Sequence, residues 1–134
     1  MAGFCDYLEN AMLNGVFGAE AFAAPATLYL GLSTTTPTDA GGNITEPSGG
    51  SYARVAVTNN TTNWPTTTTG EKANGAAFAF PQATASWGTV THLAIYDAET
   101  DGHVLCLAEL SAPKAVESGD TLSFPIGSIV ITLD

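Results

Sequence analysis

Positive charge is what this sequence has least of. Arg54, Lys72 and Lys114 are its only basic residues, and against 13 acids they leave a formal net charge of −10. That balance argues against nucleic acid as a partner, because affinity for DNA or RNA comes mainly from Lys and Arg neutralising phosphates. Anionic membrane surfaces are disfavoured for the same reason. Charge of either sign is scarce, at 12% of residues, about half the usual quarter. Long hydrophobic runs are missing too, and no apolar stretch approaches the roughly 20 residues that span a bilayer. Met1–Phe17 lacks a basic leader and carries Asp6 and Glu9, which argues against a secretory signal. The two cysteines, Cys5 and Cys106, are read as buried free thiols of a chain made in a reducing cytoplasm.

Catalytic constellations are equally thin. Ser48, Gly49, Gly50 and Ser51 do not make a nucleophile elbow, and no glycine-rich phosphate loop with its lysine is present. Asp97, Glu99 and Asp101 followed by Gly102 imitate the start of a calcium loop, but position 12 would be Ala108. The flanks read as strands rather than helices, so a solvated hairpin turn is expected. His92 and His103 flank that hairpin with Cys106 as the nearest soft ligand, short of the three or four that zinc requires. The expectation is therefore no catalytic residue, no metal and no cofactor. The sequons at Asn43, Asn59 and Asn60 are chance products of a chain rich in Asn and Thr.

What is present is β pattern. Hydrophobic residues make up 45% of the chain. Leu28, Leu30 and Leu32 alternate with Thr27, Tyr29 and Gly31, the period-2 signature of a half-buried strand. Further strands are expected over 51–58, 76–80, 86–97, 103–110, 121–124 and 128–133, joined by turn-rich segments. Phe4, Leu8, Ala11 and Met12 recur at helical spacing, so Phe4–Asn14 is predicted as a short amphipathic helix stopped by Gly15. The chain fits one mainly β domain over residues 1–134, with a helical N-terminal arm at 1–25 and a β body at 26–134. About seven antiparallel strands suit a β-sandwich or open barrel.

Two long polar loops, Thr34–Gly50 and Asn59–Asn74, point to contacts. The partner-interface candidates are Phe4, Leu8 and Met12 on the helix, the single arginine Arg54, and Trp64 in the second loop. Arg54 is expected either to pair with a carboxylate of a neighbouring chain or to form an intrachain pair. Trp64 is expected to fold back as a lid on the core or to plug into a partner. Trp64, Tyr52 and Trp87 would form a sugar-stacking platform if they were exposed together.

The chain also resembles a family of small tailed-bacteriophage virion proteins. The segments that carry the likeness are DYLEN at Asp6–Asn10, APATLYLGL at Ala24–Leu32, PTDAGG at Pro37–Gly42 and GSYARV at Gly50–Val55. It continues through ATASWGTVT at Ala83–Thr91, IYDA at Ile95–Ala98, GDTL at Gly119–Leu122 and IVITLD at Ile129–Asp134. Such proteins are described as tail-fibre-like or as head-decoration proteins, and the resemblance implies no catalytic residues. No repeat of the kind a fibre shaft needs is present. The expectation is therefore a decoration (cement) protein, made in the host bacterial cytoplasm and bound to the outer surface of the head. There it would bridge capsomers, contact the major capsid protein and sister subunits, and form a homotrimer. The helix or the Thr34–Gly50 loop would act as a clamp that can be removed without unfolding the β body. A tail-tip or tail-fibre-associated structural domain, or one binding host glycan, is the alternative.

Overall fold

The computed structural model describes residues 2–133. Nine strands and one helix are formed among them: β1 (Ala2–Phe4), α1 (Asp6–Val16), β2 (Thr27–Ser33), β3 (Val55–Thr58), β4 (Glu71–Ala73), β5 (Phe78–Ala79), β6 (Gly88–Tyr96), β7 (Val104–Val116), β8 (Ser123–Phe124) and β9 (Val130–Thr132). Seven of the strands make one curled sheet, a half-barrel, in the order β3-β2-β6-β7-β1-β9-β4. The remaining two, β5 and β8, form a small antiparallel ladder in which Phe78 faces Phe124. The mainly β expectation holds, with an open barrel rather than two stacked sheets. All pairs in the large sheet are antiparallel except β1 with β9.

The N-terminal segment departs from the expected helical arm. Ala2–Phe4 is a strand inserted between β7 and β9, with Phe4 opposite Cys106 and Ala2 opposite Ile131. The backbone groups of a strand need partners, and here the sheet supplies them on both sides. The helix therefore begins only at Asp6, with Cys5 as its N-cap and Asp6 and Glu9 in its first turn, where the helix dipole favours acids. The idea of a removable clamp is corrected by this pairing, since deleting Met1–Asn14 would take a strand out of the middle of the sheet. The Thr34–Gly50 loop is likewise tied to its own chain. The Ser33 hydroxyl donates to the Thr35 carbonyl and accepts from the Thr45 N–H, while Thr34 N–H reaches Thr45 and Asp6 N–H reaches Asp39.

The core lies on the concave side of the sheet. Leu30, Leu32, Val90, Leu93 and Val116 are almost wholly removed from water there, and that burial is the main force holding the curl closed. The expected half-buried strand at β2 is buried on both faces over its last four residues, because a second layer covers its convex side. β3 and β4 are the two edges of the sheet, and the polar stretch 59–70 runs from one to the other. Asn60 caps its turn by accepting from the N–H groups of Thr62 and Asn63. Trp64 folds back from it into the core against Phe78 and is 4% exposed.

Candidate functional site

On the convex side, the close approach of side chains to the sheet starts at Gly31. A Cβ there would lie 2.8 Å from Tyr96 Cε2 and 2.9 Å from Glu46 Oε1, so only glycine leaves room for this layer. The Arg54 guanidinium sits 3.4 Å from the centre of the Tyr96 ring, a cation–π geometry. Its Nε and Nη2 donate to the two oxygens of Glu46 at 3.0 and 2.8 Å. Nη1 donates to the carbonyls of Ala98 and Asp101. The Tyr52 hydroxyl donates to Glu46 at 2.7 Å and accepts the Leu32 N–H. Planar bidentate pairing of this kind is what arginine does and lysine does not.

Burial works against the Glu46 charge, but hydrogen bonds from Arg54 and Tyr52 and the Arg54 charge overcome it and hold the carboxyl below its ordinary range. Burial raises the Tyr96 hydroxyl to about 12, with Glu46 adding to it. With its side chain 7% exposed, Arg54 is engaged within its own chain. The carboxylate that it grips is Glu46 of its own chain.

The hairpin turn between β6 and β7 is joined to this cluster. Asp101 and Gly102 take left-handed backbone conformations, which turns the Asp101 carbonyl to Arg54. Asp97 accepts the His103 N–H at 2.7 Å and pairs with His103 Nδ1 at 3.0 Å. Burial opposes the Asp97 charge, and these contacts from His103 outweigh it, so its carboxyl titrates below the ordinary range. Asp97 thus closes a turn rather than opening a calcium loop. His103 stacks on Tyr7 of α1 with ring centres 3.8 Å apart. His92 pairs across from Glu109 midway along the β6–β7 ladder, away from the turn that holds His103, so the two histidines do not converge.

The carboxylates that do converge are Asp6, Glu9 and Asp39, whose oxygens lie within 4.8 Å of one another. The sequence hides this group, because Asp39 comes from a loop about thirty positions along the chain from the helix. Oxygen ligands of this kind suit a hard divalent cation. Cys5 lies beneath them, pushed up to about 12 by burial and then by the charges of Asp39, Asp6 and Glu9. Burial and then Cys5 raise Cys106 to about 12 as well. Both thiols stay protonated at neutral pH and are poor nucleophiles.

The concave side of the half-barrel is apolar and incompletely filled. A cavity of about 410 Å³ lies under α1, lined by Phe4, Leu8, Met12, Leu28, Trp64 and Ile131, with Lys72 also at its wall. Four of the five expected interface residues therefore face their own core, and the fifth, Arg54, is held on the convex side. The helix shows its other face to solvent, with Leu13, Val16 and Phe17 at 57%, 69% and 79% exposure. Helical periodicity identified the buried stripe, and the outward side carries further, exposed apolar groups. Trp64 Nε1 is the one buried side-chain nitrogen or oxygen without a hydrogen-bond partner among the described residues.

The proposed sugar platform is not formed. Trp64 and Trp87 are each 4% exposed, and Tyr52 packs edge-on against Trp87 and stacks on Phe80. No helix among the described residues is long and apolar enough to cross a membrane. Residues 3–132 match the family model described as Podophage GP4 fiber I protein gp80. No curated protein matches the chain.

Proposed function

We propose that this chain, which belongs to the family of Podophage GP4 fiber I protein gp80, is a non-catalytic docking module of a virion fibre. Membership makes it a bacteriophage virion structural protein of the fibre type. The family match from residue 3 to residue 132 carries the reading, because it takes in nearly the whole sheet rather than one motif. The chain lacks the repeat a shaft requires, so it works as a globular unit mounted on other virion subunits, its own copies included. Its surface chemistry supports that role. Arg54 is engaged within the chain, both thiols are buried, and Leu13, Val16 and Phe17 stand exposed on the surface.

Head decoration is the second reading. A net charge of −10 suits the outside of a DNA-filled shell, away from the genome. Immunogold labelling of intact virions with antibody to this chain separates the two. Gold on tail or fibre is the expected result, and gold confined to the head would replace the fibre reading with decoration.

A further inference from the structure

The C-terminal end of α1 is built to stand out. Leu13, Val16 and Phe17 form its exposed apolar tip, and Phe17 has the highest exposure of the large apolar residues, at 79%. Two backbone hydrogen bonds brace the tip. Phe17 N–H donates to the Leu13 carbonyl, and Glu20 N–H reaches back to Asn14 at 3.1 Å. That turn places Ala19 at φ 56°, a conformation in which a residue with a Cβ is strained. A Cβ on Gly18 would come within 2.9 Å of the Asn14 carbonyl oxygen. No basic residue lies in the last turn of the helix, so the negative end of its dipole is uncompensated. The exposed acid Glu20 follows directly.

The cavity under α1 has the opposite character. Its volume of about 410 Å³ is within the range of sites that take a ligand or an anchoring side chain. Its walls are mainly apolar; the exposed acid Glu71 stands at the rim beside the half-buried Lys72, and two donors there lack partners. Lys72 has no carboxylate within ion-pair distance among the described residues, and Trp64 Nε1 has no acceptor. An occupant that fits would bring an apolar body with an acidic or acceptor group close behind it. The segment Val16–Glu20 has that composition, an apolar pair followed three residues later by a carboxylate.

We propose that the α1 tip of one copy seats in the cavity of a second copy, with Phe17 among the apolar walls and Glu20 paired to Lys72. A buried acceptor from the incoming tip would meet Trp64 Nε1. One knob and one hole per copy make a contact between different surfaces, which closes into a ring when the rotation allows. Elsewhere two copies of a chain with net charge −10 repel each other, which confines association to this charge-poor region. The contact does not depend on where the protein sits in the virion.

Sedimentation equilibrium of the full chain, from micromolar to millimolar concentration, tests this. Wild type is expected to associate, and Phe17→Ser to weaken association by about tenfold or more. Folding should be unchanged, because the side chain is exposed. Lys72→Glu and Glu20→Lys are each expected to weaken association, and the double variant to restore it by reversing the pair. Wild type that stays monomeric throughout, Phe17→Ser that associates as tightly, or a double variant no better than its parents would overturn the contact. So would tight binding of a fluorescent fatty-acid probe by both wild type and Phe17→Ser, which would make the cavity a site for a small amphiphile.

Discussion

The two faces of the curled sheet solve opposite problems. On the convex face at β2 and β6, a cation, a carboxylate and two phenols are packed over a glycine, and each charged group has its partner. On the concave face near α1, apolar side chains leave a cavity, and a buried indole N–H has no acceptor. A chain with three basic residues places one of them in a closed internal network. Polar groups fasten the convex face, and apolar groups leave the concave side incompletely filled.

Breaking the convex side gives the largest effect. Arg54→Ala strands Glu46 under the layer that buries it, and removing one partner of a buried pair is costly. Stability measured by urea unfolding should fall by about 3 kcal/mol, and a loss well under 1 kcal/mol would show that the network holds nothing together. Acid should do the same work more gently. Glu46 titrates below its ordinary value in the folded chain. Its contribution is therefore complete above the unfolded value of about 4.3 and lost as pH falls through the lower folded value. Thermal melts should show wild type losing stability below about pH 4, while Glu46→Gln loses less over that window. Equal slopes would remove Glu46 from the account.

Changing the concave side at its orphaned group should matter least. Trp64→Phe deletes an N–H that has no partner to lose, so stability should move by no more than about 1 kcal/mol. A larger loss on urea unfolding would mean that the indole nitrogen is satisfied in solution.

The β pattern was legible where side-chain alternation alone decides. Leu28, Leu30 and Leu32 located β2, and the 86–97 segment located β6 (Gly88–Tyr96). Lone long-range pairings were not legible. Phe4–Asn14 reads as helix from its own spacing, yet Phe4 is captured by β7 as the last residue of a strand whose first two residues also pair with β9. β4 lies inside what reads as polar loop, because three residues paired to β9 carry no periodicity of their own. β7 runs on through Pro113 to Val116, beyond the expected stop, in a stretch where the register with β6 shifts and a missing N–H is tolerated. Trp64 was expected to fold back, and it does. The carboxylate for Arg54 was beyond reach, since tertiary packing selects Glu46 from 13 acids.

The position of β1 also sets an order of events during synthesis. Residues 2–4 leave the ribosome before the rest of the sheet, yet their two neighbours are β7 and β9, and Ala2 faces Ile131. The first strand made must therefore wait for the last, and loop closure over that separation slows folding. Until β9 emerges, the sheet lacks the strand that follows β1 and the partner of β4. A chain whose β9 is not yet in place exposes those edges. The parallel pairing of β1 with β9 therefore makes the closing of this sheet depend on strands more than 120 positions apart in sequence.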